Sequence, residues 1–248
     1  MKVLAIVQRE LLGYFLSPLG WLVLTLFLLV QGYGFYLVVE LLSQPRAPQG
    51  AVLQYFFGGT FIYWLFVIVV TSAITMRLVA EERRSGTIES LLSAPVSEKA
   101  VVLGKYLAAV LFYGALWLPT TVYLLLLWRL ADQQPIGLGP VASGYLGTMV
   151  VGATCLAVGT LASTLTRNQV VAALLSFALL TLLLLVGSMQ GFSARPAFKA
   201  VFAHLSLFDQ MDDFARGIVD SRHLVFHASL VVLCLCVAVK ALERRKWA

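Results

Sequence analysis

Long uninterrupted apolar runs constrain the fold of this chain more than any other feature of its sequence. Hydrophobic residues make up 60% of the 248 residues and charged residues make up 12%, about half the charged fraction of an ordinary soluble domain. Several of the apolar runs reach the roughly 20 residues that an α-helix needs to cross a bilayer. The sequence therefore predicts an all-α integral membrane protein.

The apolar runs predict one domain of six membrane-spanning helices. Their approximate ranges are residues 18–39, 56–79, 100–130, 140–165, 170–189 and 224–242. Ser17 and Pro18 are typical of the N-cap and the first position of a helix, and they mark the start of the first span. Pro119 supplies no backbone N–H, so we expect it to kink the third span.

Small residues recur at every fourth position of the fourth predicted span, at Gly144, Thr148 and Gly152. This spacing allows another helix to approach closely. That helix belongs either to the same chain or to a second copy, and the spacing is compatible with both.

Two segments outside the spans predict helices that lie along the membrane surface. The first is an N-terminal amphipathic helix in the membrane interface, whose apolar residues fall on one side at helical spacing: Val3, Leu4, Ile6, Val7, Leu11, Leu12 and Phe15. The second is the segment 190–222, which predicts short external helices before the last span, with the aspartates toward water.

The distribution of basic residues predicts the orientation of the chain. With the N-terminus in the cytoplasm, twelve of the 18 Lys and Arg residues fall on the cytoplasmic side of the predicted spans. Cytoplasmic loops of membrane proteins carry such an excess, so we expect both termini in the cytoplasm. The membrane that we expect for this chain is the bacterial inner membrane. The basic residues lie at span ends and form no single patch, which argues against a nucleic-acid partner.

One charged segment, residues 80–99, separates the second and third predicted spans. Within it, residues 86–93 predict a short helix with Gly86 as N-cap, Glu89 in its first turn and Pro95 as its end. Its apolar stripe consists of Ile88, Leu91 and Leu92. A short helix with such a stripe and no core of its own favours a groove on a partner protein. The alternative is an ordinary water-exposed loop whose apolar residues lie on the lipid surface.

The order of residues in this segment resembles the first cytoplasmic loop of ABC-2 type transporter permeases. The resemblance runs through EERRSGTIE at 81–89, LL at 91–92, APVS at 94–97 and GK at 104–105. In that family the segment is a coupling helix that docks on a separate ATPase subunit. The resemblance implies that the ATPase contacts are Glu82, Arg83, Arg84, Gly86, Thr87, Ile88, Glu89, Leu91 and Leu92, with a second, smaller contact at Arg167, Asn168 and Gln169.

The same resemblance implies a half-transporter. Two permease subunits, identical or different, would pair in the bilayer and bind two ATPase copies, and ATP and Mg²⁺ would be held by the ATPases. The family mostly exports its substrates. The N-terminal residues QREL at 8–11, YF at 14–15 and SP at 17–18 also resemble the gliding-motility (GldF-like) permeases, in which an accessory membrane protein is usual.

The sequence gives little indication of an enzymatic activity. Gly104 and Lys105 end like a phosphate loop, but Lys99 stands in place of its first glycine and the segment joins membrane spans. We therefore predict no nucleotide site, no cofactor and no catalytic residue in this chain. His223 and His227 stand four residues apart, a spacing that can hold a metal, but no Cys or Glu completes a ligand set, so we predict no metal site.

The remaining ionisable residues are predicted to lie near span ends, where long side chains reach the interface: Glu40, Arg77, Lys105, Arg129 and Lys240. This placement argues against an ion-coupled transporter and an intramembrane hydrolase. Two other classes stay open beside the ABC permease. One is a membrane scaffold or assembly subunit that transports nothing, and the other is an ATP-independent channel or lipid scramblase.

Overall fold

A computed structural model describes residues 2–42, 52–86, 97–130, 137–189 and 196–244. Within these ranges there is no β-strand, and a 3-10 turn at Leu118–Thr120 separates two of the helices. The α-helices are α1 (Lys2–Leu16), α2 (Pro18–Leu42), α3 (Val52–Phe56), α4 (Phe61–Thr75), α5 (Ala80–Arg84), α6 (Glu98–Trp117), α7 (Thr121–Leu130), α8 (Leu138–Leu165), α9 (Gln169–Ser188), α10 (Pro196–Leu205), α11 (Leu207–Ala215) and α12 (Ser221–Arg244).

Six stretches of the described chain are long and apolar enough to cross a membrane. They are Pro18–Glu40, Val52–Thr75, Glu98–Leu126, Leu138–Leu165, Gln169–Ser188 and Ser221–Glu243. The predicted fold class, an all-α membrane protein with six spans, is confirmed. Ser17 Oγ accepts a hydrogen bond of 3.0 Å from Gly20 N, so the predicted cap at the start of the first span is confirmed as well.

The fourth span, α8, lies at the centre of the bundle. It is 72% buried inside the chain, whereas the first and last spans are each 22% buried. Small residues make this possible: Phe57 packs against Gly144 and Tyr113 packs against Gly152. Between them, Thr148 Oγ1 lies 3.3 Å from Tyr63 Oη. The small-residue spacing of this span therefore serves packing within one chain.

The second span is broken near its start, which the sequence did not predict. Residues 57–60 form a turn between α3 and α4, and Gly58 adopts a φ of 113° that favours glycine. Trp64 Nε1 donates to the Gly58 carbonyl at 2.7 Å, and Thr60 Oγ1 caps α4. At its other end α4 stops at Thr75, followed by a turn over residues 76–79. The span that the sequence places at about residues 56–79 is formed by Val52–Thr75 in the structure, with a turn inside it.

The break in the third span follows from Pro119, as expected. The chain changes from α-helix to a 3-10 turn at Leu118–Thr120 and returns to α-helix at Thr121. A proline cannot donate to the turn before it, so the change of helix type occurs at the residue that loses the hydrogen bond.

The N-terminal helix α1 has two apolar sides, whereas the sequence predicted one. Ile6 and Val7 are buried, and Ile6 packs against Gly104 of α6. Leu4 and Leu12 point away from the bundle and are exposed. The helix is therefore docked on the third span and presents a second apolar side outward, because its apolar residues are too numerous for one stripe.

Gly152 is the position at which this packing is easiest to test. A Cβ at this position would lie 2.1 Å from Tyr113 Cε1, and overpacking a dense core costs about 1–3 kcal/mol. We expect Gly152→Ala to lower the free energy of unfolding in detergent by this amount. Gly139→Ala in the same helix is the control, since a Cβ there meets nothing within 4 Å. Equal stability of the two variants would contradict the packing described for α8.

Candidate functional site

Four charged side chains from three separate elements meet where the segment after the second span begins. Arg9 and Glu10 belong to α1, Glu82 belongs to α5 and Lys105 belongs to α6. Arg9 Nη2 lies 2.8 Å from both Glu10 Oε1 and Glu82 Oε1, and Lys105 Nζ lies 2.9 Å from the same two oxygens. Cations and carboxylates alternate, and the formal charge of this charge cluster is zero.

Burial makes the charge cluster a strong constraint on its neighbours. Lys105 is 1% exposed, and a charge so far from water is tolerated only when it is paired and hydrogen-bonded. Arg9, with 55% of its side chain exposed, covers the cluster from outside. Among the described residues, Glu82 Oε2 is buried and has no hydrogen-bond partner. Glu82 is thus held through one oxygen, by two cations from different elements.

The charges in the cluster shift the protonation equilibria of its members on α1. Burial acts to raise the pKa of Glu10, but the attraction of Lys105 and the hydrogen bonds from Arg9 and Lys105 outweigh it, so the pKa falls below 4.5. The hydrogen bond to Glu10 raises the pKa of Arg9. Burial raises the pKa of Tyr14 well above its usual value. Tyr14 is therefore neutral and donates to the Ile74 carbonyl at 2.8 Å.

We call residues 76–86 the segment base, since they lead from the second span into the charged segment. Ser163 of α8 accepts hydrogen bonds of 3.1 Å from Val79 N and Ala80 N. Its hydroxyl donates to the Met76 carbonyl at 3.3 Å. Arg83 donates to the Thr164 carbonyl. The segment base is therefore attached to the end of the fourth span as well as to α1 and α6.

Gly86 ends a helix here, whereas the sequence predicted that it begins one. Ser85 N donates to the Glu81 carbonyl at 2.9 Å, and Gly86 follows with a φ of 72°. A glycine in this left-handed conformation after the last helical residues is typical of a helix C-terminus. The helix that Gly86 was predicted to cap lies outside the described residues from Thr87 onward, so its N-cap role stays a prediction.

The structure places the predicted ATPase-contact residues in two groups. Glu82 and Arg83 face the bundle through the contacts above, while Arg84 and Gly86 are exposed at its surface. Five further predicted residues lie outside the described part of the chain: Thr87, Ile88, Glu89, Leu91 and Leu92. The helix predicted for residues 86–93 falls there too, apart from Gly86.

The predicted second contact lies at the same end of the bundle. Asn168 Oδ1 accepts from Val170 N at 2.9 Å and caps α9, and Gln169 is the first residue of that helix. Arg167 is exposed in the turn between α8 and α9. This turn directly follows the end of α8 that holds Val79, Ala80 and Arg83, so the segment base and the predicted second contact are neighbours.

Sequence reasoning missed the charge cluster because it treated Lys105 as a residue that reaches the interface. Lys105 stands seven residues into α6, about 10 Å along the helix axis. A lysine that deep in a predicted span needs a counterion. The need for a counterion was therefore readable in the sequence, but the sequence did not identify which carboxylates supply that counterion.

At the opposite end of the bundle, α10 and α11 fold back against the spans. Ser143 Oγ donates to the Phe214 carbonyl at 2.6 Å, and Met211 packs against Gly58. Asp213 Oδ2 lies 3.0 Å from His223 Nε2. The helices predicted before the last span are present over residues 196–215, and α11 buries one apolar side in the bundle while its Asp209 is exposed.

His223 and His227 do not act together as the sequence spacing allowed. His223 pairs with Asp213, while His227 is 2% exposed and its Nδ1 lies 2.8 Å from Thr154 Oγ1. No group of three or more His, Cys, Asp or Glu side chains in the described ranges is placed to hold a metal. His227 lies inside the last span, so the expectation that ionisable residues stay near span ends is wrong for this residue.

A model of one protein family matches most of the chain. The family is described as ABC-2 family transporter protein, and the match covers residues 4–216. The matched range includes α1 from Leu4 onward, the segment base, the charge cluster and α11. No curated protein matches the chain significantly.

The charge cluster makes a clear prediction for stability. Lys105→Gln removes the buried cation and leaves the two carboxylates sharing the half-exposed Arg9 alone, and breaking a buried pair in this way costs about 3–5 kcal/mol. Lys99→Gln, at an exposed position of the same helix, is expected to change stability by about 0.5 kcal/mol or less. Chemical denaturation in detergent micelles measures both. A Lys105→Gln variant as stable as Lys99→Gln would contradict the energetic role of the cluster.

The lowered pKa of Glu10 predicts a dependence of stability on pH. Because its pKa is lower when folded, the carboxylate stabilises the fold above its unfolded value of 4.5, and this contribution is lost as the pH falls through the folded value. We expect the free energy of unfolding to drop below about pH 4.5, and less so in Glu10→Gln. Denaturation curves across this pH range provide the measurement. Parallel pH profiles for the two proteins would exclude Glu10 as the source.

Proposed function

Because the chain belongs to the ABC-2 family of transporter proteins, we propose that it is a permease subunit that couples ATP hydrolysis to export. As a member of this family it is a membrane transport component and not itself the ATPase. In the proposal a separate ATPase subunit docks on the charged segment after the second span. Closure of the ATPases on ATP then displaces this segment and opens a path to the outside.

The observation that carries the proposal is the attachment of the segment base to the bundle. Its contacts reach the first helix through Arg9, the third span through Lys105 and the fourth span through Ser163. A force applied to residues 87–93 therefore has several spans to act on. An ordinary loop between spans needs no such attachment, so the contacts favour a mechanical role.

In the proposed interface, apolar side chains provide most of the binding affinity, and charged side chains fix how the segment is aligned in the groove. Ile88, Leu91 and Leu92 insert into a groove of the ATPase, because apolar side chains that fill a pocket dominate most interfaces. Arg84 and Glu89 lie at the rim, where charges steer the encounter and set the register more than they add affinity. The turn at residues 167–169 makes the second contact, at the same end of the bundle.

The assembly that we propose contains two permease subunits and two ATPase subunits. Both termini and the charged segment lie in the cytoplasm of a bacterium, on the inner side of its inner membrane. In support, α12 starts beside Asp213 at the opposite end and is long enough, at 24 residues or about 36 Å, to return to the α1 end. An accessory membrane protein, as in the gliding-motility permeases that the N-terminus resembles, is part of this proposal.

Leu92 tests the docking of the ATPase. Truncating an apolar anchor of an interface typically costs at least about 1 kcal/mol, so we expect Leu92→Ala to weaken ATPase binding about fivefold or more. The measurement is the affinity of purified permease in lipid nanodiscs for the ATPase of the same operon. Leu138→Ala is the control, since Leu138 is 82% exposed at the opposite end.

Unchanged binding in Leu92→Ala, with wild-type coupling of hydrolysis to transport in Glu89→Gln, would contradict the coupling role. A permease that binds no ATPase at all, or an operon without one, would favour the scaffold and channel classes instead.

A further inference from the structure

We propose that α1 is a positioning element for the ATPase-binding segment, and that Arg9 and Glu10 fix the place from which this segment starts. The meaning of this inference for transport rests on the proposed function. Its geometry does not, because every contact involved lies within one chain.

The first step is that α1 is fixed to the third span by apolar contacts. A Cβ on Gly104 would lie 2.8 Å from Ile6 Cγ2, so the two helices touch at this point. About two turns along, the rings of Tyr14 and Phe112 stack with centroids 4.7 Å apart and an angle of 12° between their planes. These contacts set the relative positions of α1 and α6 without the charges.

The second step is that α5 has no stability of its own. It contains five residues, Ala80–Arg84, whereas isolated helices shorter than about 12 residues are marginal in water. Its position must therefore come from neighbouring elements. Arg9 and Lys105 supply the contacts to Glu82, and Ser163 supplies the contacts to Val79 and Ala80.

The third step concerns what separation of α5 from α1 would leave behind. If Glu82 moved away, Arg9 and Lys105 would share the single carboxylate of Glu10, and one of these cations, Lys105, is almost fully buried. An uncompensated buried charge is strongly unfavourable. Displacement of the segment base therefore moves α1 and the start of the third span as well, because separating them would leave two cations on one carboxylate.

The fourth step is that Arg9 differs from Lys105 in what it contributes. Lys105 is an interior group whose loss affects the whole fold. Arg9 is more than half exposed, and its guanidinium bridges Glu10 of its own helix and Glu82 of α5. Its bond to Glu82 links α1 directly to the segment base, so its removal loosens the segment while leaving Lys105 paired.

Hydrogen–deuterium exchange of the purified permease, without ATPase, tests this inference. The readout is the exchange rate of amides in residues 76–86, compared with residues 150–160 of α8. Charged hydrogen bonds contribute enough that losing one should speed local exchange about tenfold or more. We expect this acceleration in Glu82→Gln and in Arg9→Gln, with unchanged exchange in α8.

Two matched variants separate positioning from a general loss of stability. Glu81→Gln makes the same chemical change one residue away, outside the charge cluster, and is expected to exchange like the wild type. Arg9→Lys keeps a cation beside Glu82 and is expected to restore slow exchange in part. Glu82→Gln exchanging no faster than Glu81→Gln would overturn the inference, and so would faster exchange spread equally over α8.

The result is independent of the ATPase-binding test with Leu92→Ala. Loss of protection in the segment base of a permease that binds no ATPase would uphold the positioning role and remove the proposed function. Intact ATPase binding with unchanged exchange would uphold the proposed function and overturn the positioning role.

Discussion

The buried ammonium group of Lys105 is the constraint on which the α1 end of this protein depends. A lysine two turns into a membrane-spanning helix needs carboxylates within reach, and the chain supplies Glu10 from one side and Glu82 from the other. Those two carboxylates belong to elements far apart in sequence. Satisfying one charge therefore brings together the N-terminal helix, the third span and the segment base.

The rest of the bundle provides a rigid frame for this junction. The fourth span has no side chain at Gly144 and Gly152, and the rings of Phe57 and Tyr113 occupy the space that a side chain would fill. Near the end of the same span, the Ser163 hydroxyl and the Thr164 carbonyl accept hydrogen bonds from the segment base. A single helix thus forms the centre of the core at one level and an attachment point at another. The helix α11 closes the opposite end through its contacts with Ser143 and Gly58.

In the proposed mechanism the closely packed spans are the rigid parts, and the segment base is the part that a partner displaces. The spans are fixed by close packing, which responds to force by moving whole helices because a dense interior deforms little. The segment base is short and is held by polar contacts to several helices at once. A displacement of residues 87–93 by a partner would therefore be distributed over the ends of the first helix, the third span and the fourth span.

The sequence by itself determined the six spans, the cap at Ser17, the break at Pro119 and the family to which the chain belongs. These features depend on local hydrophobicity, on backbone chemistry and on the order of neighbouring residues, all of which are readable along the chain. Tertiary structure decided the pairing of Arg9 with Glu82 and of Lys105 with Glu10, because the partners stand 73 and 95 residues apart. It also decided that Gly86 ends a helix and that His227 bonds to Thr154 within a span. Such pairings depend on which faces of the helices meet, and periodicity in one segment carries no information about the face presented by another.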